Sequence, residues 1–451
     1  MPNSTQTEVL VVGAGPVGML TALLLAGHGL RTRIIDQESR TAAHSYACVL
    51  HPASLCLLER AGIAEDVIDL GRRIETVGFY EGPTLRFRLK LSDLPGRYSF
   101  AVVLEQSMLE NLLEQRLRGA GSRVLWNHRL LEIEPGANGV DACIENLGSS
   151  NRDDSIPESE TNPKDRLKIH ADFVVGADGH NSTLRQQLDI PPVRAGAPEL
   201  FAIYEVETVD PLDHEMKLVL NKSAMSVMWP LTENKCRWSF QVASRAAAAR
   251  FPQKDRHRLT SGRTRRELDR MDYLHRFLAE RAPWFQPGNC GDIIWAAQAQ
   301  FERQLALEFG RGRCWLAGDA AHQTCPAGMQ SMNLGLVEGA DLAGILKSIL
   351  RDKAQLDLLQ TYDRVHRAEW KHLLGLNEPN QPLNAFSSWV RQRFANILGL
   401  KKPAGPSRSL PSWARRHFAV ILRSLPASGD DLSHLLEKLK MIDRSKKSVT
   451  R

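Results

Sequence analysis

One turn restricts this chain more than any other feature: a glycine-rich hexapeptide set between a buried strand and a helix. Glu8–Val12 (E-V-L-V-V) is a short β-branched run, as for a strand buried on both faces, and Gly13-Ala14-Gly15-Pro16-Val17-Gly18 follows it directly. Gly18–Leu30 then reads as a helix and Arg31–Asp36 (R-T-R-I-I-D) as a second strand. In such a unit Gly13 permits the tight turn, Gly15 lets backbone approach a pyrophosphate, and Gly18 allows close helix–strand packing. The helix N-terminus that follows Pro16 and Val17 offers unpaired N–H groups and a partial positive charge to phosphates. Asp36, followed by Gln37, ends the next strand 23 residues after Gly13. A carboxylate there accepts hydrogen bonds from ribose hydroxyls. The spacing predicts a Rossmann-like α/β unit that holds a dinucleotide.

The same glycines decide a competing reading. Val9–Gly27 carries no charge over 19 residues, long enough to cross a bilayer. Gly13, Gly15, Pro16 and Gly18 punctuate it where a strand must turn into a helix, so it is read as strand, turn and helix. The N-terminus lacks a basic region and a small-residue cleavage site, so no secretory signal is expected. Seven cysteines without a C-x-x-C pair fit a reducing compartment, with the cytoplasm as the default, and no metal site is expected.

At 451 residues the chain suffices for two sizeable cores. Its net charge of +6 is unevenly spread: residues 381–451 hold 14 Lys and Arg against 4 Asp and Glu. The tail has no nucleic-acid signature, so no nucleic-acid partner is expected. Within it Ser387–Leu400 and Ser412–Leu425 read as basic amphipathic helices. They either pack on the protein or a second subunit, or lie on an anionic membrane surface.

Two more strand-to-turn motifs follow. Phe173-Val174-Val175-Gly176-Ala177-Asp178-Gly179-His180-Asn181-Ser182, with Arg185 beyond, is a buried strand ending in an Asp-Gly turn, with Asn181 or Ser182 placed to cap a helix. Trp315-Leu316-Ala317-Gly318-Asp319-Ala320-Ala321-His322 is another buried strand delivering an acid, then a loop through Pro326 and Gly328 into a long helix, Ser331–Arg351, that carries Met332 and Asn333. Asp319 could hold polyol hydroxyls; His322 reads as a packing or capping residue rather than a base. Between 200 and 243 four segments alternate as antiparallel strands, and 245–282 reads as one or two surface helices. Gly148–Asp165 reads as a solvated loop.

Together, and in this order, the three motifs resemble the FAD-dependent monooxygenases of the aromatic hydroxylase type, the para-hydroxybenzoate hydroxylase-like flavoproteins. The resemblance runs from about residue 8 to about residue 375. It implies that Gly13, Gly15, Gly18 and Asp36 bind the ADP half of FAD, and that Asp178, Gly179 and Arg185 serve both FAD and the nicotinamide donor. It implies further that Gly318 and Asp319 meet the ribityl chain, that Pro326 to Asn333 lie along the flavin, and that Gln106 touches the cofactor. Two positions depart from the pattern: Tyr46 stands where an Arg usually approaches FAD, and Ser331 replaces a glycine of the flavin loop.

The fold implied is α/β. A Rossmann-like FAD-binding domain (1–74, 100–188 and 291–375) is interleaved with an antiparallel-β substrate domain (75–99 and 189–290), and a helical basic tail occupies 376–451. NADPH or NADH would reduce the flavin, O2 would form a C4a-hydroperoxide, and hydroxyl transfer would reach a small, apolar, aromatic or phenolic substrate. Such chemistry needs a dry pocket, for which Met225, Met228, Trp229 and Pro230 are candidate lining. No residue can be named as a substrate base. A same-fold reductase or dehydrogenase acting on a prenyl or polyketide-like substrate, and a non-catalytic flavin-binding protein, are the alternatives. A halogenase is disfavoured, because no G-W-x-W-x-I-P segment is present.

Overall fold

The computed structural model describes residues 6–39, 47–93, 97–148, 166–221, 224–232, 234–242, 265–285, 289–324, 330–374 and 376. The basic tail, Tyr46, Pro326, Gly328 and most of the 148–165 segment therefore lie outside the described residues.

The chain opens with β1 (Gln6–Val12), α1 (Pro16–Gly27), β2 (Thr32–Ile35), β3 (Ala47–Leu50), α2 (Pro52–Arg60) and α3 (Ala64–Leu70). Next come β4 (Arg72–Ile74), β5 (Thr76–Glu81), β6 (Thr84–Lys90), β7 (Ala101–Glu105) and α4 (Gln106–Gly119). Then follow β8 (Val124–Leu125), β9 (His128–Pro135), β10 (Val140–Asn146), β11 (Arg166–Gly176), α5 (Thr183–Gln187) and β12 (Pro192–Arg194). The substrate-side strands are β13 (Glu199–Thr208), β14 (Glu215–Asn221), β15 (Ala224–Pro230) and β16 (Lys235–Val242), followed by α6 (Arg265–Arg281) and β17 (Cys290–Phe301). The last part holds β18 (Gln304–Ala306), β19 (Gly310–Arg311), β20 (Cys314–Leu316), β21 (His322–Gln323), α7 (Gln330–Asp352) and α8 (Asp357–Leu373).

Two large sheets organise these elements. The first has the order β19-β20-β11-β1-β2-β8, with β10 and β9 added beside β11. Its pairs β20–β11, β11–β1, β1–β2 and β2–β8 are all parallel. The uncharged stretch that could have been a membrane span is β1 and α1 of this layer, as the glycine spacing requires. Helix α1 is apolar nearly all round because it is enclosed, with Met19, Leu20, Leu23 and Leu25 all buried. Pro16 opens it at a position where its missing N–H costs nothing. Among the described residues no helix is long and apolar enough to cross a membrane.

The second sheet has the order β17-β13-β16-β15-β14-β5-β6 and is antiparallel except where β14 meets β5. Strand alternation gives it two apolar faces. One carries Phe79, Phe201, Ile203, Leu218, Met225, Val227 and Trp229, and packs with Val49, Ala101 and Val103 of the small sheet β3-β7-β4. The other carries Tyr204, Met228, Trp238 and Phe240 and is closed by Leu274 and Leu278 of α6. The expected boundary before residue 291 falls at the head of β17, but its pairing with β13 continues to Phe301. That whole strand stays with the antiparallel sheet, and the chain changes sheet only near Gln304.

Candidate active site

The three motifs, separated by well over a hundred residues of sequence, end abreast. Val12 pairs with Ile35 on one side and Gly176 on the other, and Gly176 pairs with Leu316. The carboxyl ends of β2, β1, β11 and β20 thus form one level row, and the turn of every motif starts one residue beyond it. Backbone bonds hold the row past the strand ends: Gly13 N donates to Ile35 O (2.8 Å), Ala177 N to Val12 O (2.7 Å) and Ala317 N to Gly176 O (2.9 Å). A crevice outside the carboxyl ends of parallel strands is where α/β sheets bind ligands.

Within the first turn the three glycines do different things. Gly13 has φ +101°, and a Cβ there would come 2.2 Å from the Ala177 carbonyl oxygen. A Cβ at Gly18 would come 1.9 Å from the Gly13 oxygen. Both are forced by packing. Gly15 is not: its backbone is extended at φ −72°, and a Cβ there meets no protein atom within 4 Å. The space over Gly15, at the start of α1, is open toward the crevice and fits a phosphate cradle.

Asp36 is half-buried at the end of β2 and already holds the turn, accepting from Ala14 N (2.6 Å) through Oδ2 and from Glu38 N (2.8 Å) through Oδ1. Both oxygens keep further acceptor capacity for ribose hydroxyls. Gln37 beside it is exposed.

In the second motif Asp178 accepts from Leu184 N at 3.1 Å through Oδ2, while its buried Oδ1 has no partner. Burial pushes its carboxyl above the usual range, offset in part by Ser182 and the Leu184 N–H. A buried oxygen left over at the crevice suits a ligand that donates a hydrogen bond. Gly179 takes φ +75° with open space around it, so its demand is conformational. Ser182 caps α5, accepting from Arg185 N at 3.0 Å. The Arg185 side chain turns inward, donating to Ala320 O (2.6 Å) and His180 O (2.9 Å). It clamps the second motif to the third.

Gly318 has φ +64° and sits against Val17, whose Cγ2 also abuts Gly335 of α7. Asp319 is exposed and accepts from the Ser331 hydroxyl. Asn333 is buried: its Oδ1 accepts from His51 N (2.8 Å) and Ser54 Oγ (2.6 Å), and its Nδ2 donates to Val49 O (2.7 Å). It ties the start of α7 to the small sheet behind the antiparallel face. Met332 is half-buried against the main core. Gln106, first residue of α4, donates to Glu110 Oε1 at 2.7 Å.

One group escaped the sequence reading. Glu338, fully buried on α7, accepts from Gly318 N, His322 Nε2 and Trp370 Nε1, each at 2.8 Å. The available signal was an acid set directly after the apolar Leu336 and Val337, between Gly335 and Gly339. His322 is buried beside it, as expected of a packing residue.

The candidate wall needs one correction. Met225 and Trp229 lie on the face of β15 that meets the small sheet, but Met228 belongs to the opposite face under α6. Pro230 has the parity of Met228 and pairs with Cys236 of that rear cluster. Consecutive residues of a strand cannot share a face.

Comparison with known proteins gives the family and the fold. The model of a family described as FAD binding domain matches residues 6–374. The chain is 28% identical over 363 residues to 6-methylpretetramide 4-monooxygenase of Streptomyces rimosus, covering 80% of this chain and 59% of that protein. It is 26% identical over 367 residues to pentachlorophenol 4-monooxygenase of Sphingobium chlorophenolicum, covering 80% and 62%. The chain thus spans about six tenths of the length of these relatives. The crystal structure of p-nitrophenol 4-monooxygenase from Pseudomonas putida DLL-E4 superposes with a TM-score of 0.66 at 20% identity, over 96% of this chain and 98% of that one, and shares its fold.

Proposed function

The chain belongs to the FAD binding domain family, and from that premise we propose that it is an NAD(P)H-consuming monooxygenase acting on a small, apolar, aromatic or phenolic compound. The observation that carries the reading is the level row of strand ends, which sets the open space over Gly15, Asp36, the unpartnered oxygen of Asp178 and the exposed Asp319 along one edge. Taken along the row, β2, β1, β11 and β20, the order is Asp36, Gly15, Asp178 and Asp319, which is the succession that the ribose, diphosphate and polyol of FAD would require.

When bound, FAD would accept electrons from NADPH or NADH and activate O2, chemistry that no side chain supplies. The protein's part is binding, orientation and exclusion of water. The start of α1 would hold the diphosphate, Asp36 the adenosine ribose, and Gly318 with Asp319 the ribityl chain. Arg185 and Asn333 act through the backbone, fixing the second motif against the third and α7 against the 49–54 segment. The antiparallel face with Phe201, Met225, Val227 and Trp229 would wall the substrate in apolar surface, which favours coupling by keeping water out. That the similar pentachlorophenol and 6-methylpretetramide enzymes are named for oxygenation of ring compounds supports the same substrate class.

The test is NAD(P)H oxidation and O2 uptake by the FAD-loaded protein against a panel of phenols and fused aromatics, with 18O2 tracing the product. Substrate-stimulated oxidation with one labelled oxygen in the product is the expected result. NAD(P)H turnover with an unlabelled, reduced product would move the chain to the reductases.

A further inference from the structure

The buried carboxylate beneath the third motif is joined to both sides of its turn. Glu338 Oε2 takes the Gly318 N–H at the front of the turn and the His322 imidazole at its back, both at 2.8 Å. Oε1 takes the indole N–H of Trp370 at 2.8 Å, and the Trp370 ring stacks on His322 with centroids 3.7 Å apart. An ionised carboxylate only accepts, so the three partners are all donors and His322 has a hydrogen on Nε2. Burial pushes this carboxyl up, but the charge and hydrogen bond of His322, with His366 and the Gly318 N–H, hold it below the usual range. Of the three residues between the two anchored ends, Asp319, Ala320 and Ala321, only Asp319 is polar. It is exposed at the crevice although Gly318 and Ala320, on either side of it, are buried.

We propose that Glu338 is a positioning residue for the flavin half of the cofactor, acting through Gly318 and His322 to hold Asp319 toward the ribityl chain. This rests on the cofactor reading above. Such a turn would otherwise relax, because φ +64° at Gly318 is only one of several conformations glycine adopts. Fixing both ends in advance removes the ordering cost that FAD binding would otherwise meet. The ADP side of the site, Gly13 to Gly18 with Asp36, has no hydrogen bond to this carboxylate among the described residues.

The geometry therefore separates two ligands that share a moiety. Binding of FAD and of ADP to the apoprotein is measured for the wild type, E338Q, E338A and E338Q/W370F, with apoprotein melting as the control for folding. The E338Q side chain retains one acceptor oxygen but sets an amide N–H against either Trp370 or the Gly318–His322 pair. E338Q should raise the FAD Kd at least tenfold and leave the ADP Kd within twofold. E338Q/W370F, which removes the opposed donor, should recover part of the FAD affinity and of the resolution of the bound flavin's visible band. Equal weakening of FAD and ADP, or no change in either, would overturn the proposal. A wild-type chain that binds ADP but not FAD removes the cofactor reading and this inference with it.

Discussion

The Ser331 hydroxyl donates to the Asp319 carboxylate, joining the first turn of α7 to the third motif. Ser331 stands where the family resemblance leads one to expect glycine, so an apparent defect in the flavin loop is a contact with the acid assigned to the ribityl chain. A hydrogen bond to a charged acceptor contributes about 1.5–3 kcal/mol when well shielded, and less at a half-exposed site such as this. S331A should weaken FAD three- to tenfold, because Asp319 loses its fixed rotamer. S331G should do the same, since restoring the family residue does not restore the hydroxyl. Fluorescence titration of the apoprotein with FAD reads both, and tighter binding in either variant would show that Ser331 competes with the cofactor for Asp319.

Gly13 and Gly15 should respond oppositely to the same added methyl group. At Gly13 a Cβ collides with Ala177 backbone and the residue needs φ +101°, so G13A should cost more than about 3 kcal/mol or fail to fold. At Gly15 a Cβ meets nothing in the protein, and G15A should melt within about 1 kcal/mol of the wild type. Its FAD affinity should still fall at least about 100-fold, a loss of about 2.7 kcal/mol, because the methyl occupies the phosphate space. Thermal melts and FAD titrations together decide it; a G15A protein that binds FAD normally would leave the space over Gly15 without a role.

This division shows what could be read from sequence. The glycine turn, the strand before it and Asp36 were legible because each obeys a local rule, and the second and third motifs because each follows a buried strand. That the strands lie side by side in one register depends on pairing between segments far apart in the chain, which no local pattern encodes. The contacts of Arg185 and Asn333, and Glu338 altogether, were not legible for one reason. Their partners are backbone groups of distant segments, Ala320, Val49 and Gly318, and a sequence does not announce which carbonyl or amide will be left over. Met228 failed differently: its type suits a pocket wall, but strand parity sends it to the rear.

Glu8 provides a pH signature of the fold. Arg351, at the end of α7, grips it with Nη1 to Oε1 at 2.6 Å and Nη2 to Oε2 at 2.9 Å. Those bonds outweigh burial and, with the Arg31 backbone N–H, bring its carboxyl down to about 2 from an ordinary 4.5. With a depressed folded-state value, the unfolded chain binds the extra proton first as pH falls. The contribution is therefore complete above about pH 4.5 and is lost as pH drops toward 2. Melting curves of wild type and E8Q should differ by a constant amount from neutral pH to about 5, then converge below it. A difference independent of pH down to 2 would mean that the Arg351 contact does not depend on ionisation.

Met225 and Met228, three positions apart on β15, put the substrate wall to a direct test. Both are buried, and truncating either leaves a cavity that costs roughly 2–5 kcal/mol. Their functional consequences should part, since Met225 faces the small sheet beside Val49 and Met228 faces Leu274 and Leu278 of α6. M225A should raise KM for an aromatic substrate about fivefold or more and increase NAD(P)H oxidation not coupled to product, because water gains access to the pocket. M228A should lose stability while KM and coupling stay within twofold of wild type at a temperature well below its melting point. Were M228A to uncouple the reaction as strongly as M225A, the substrate could not lie against the face of the sheet that carries Phe201 and Trp229.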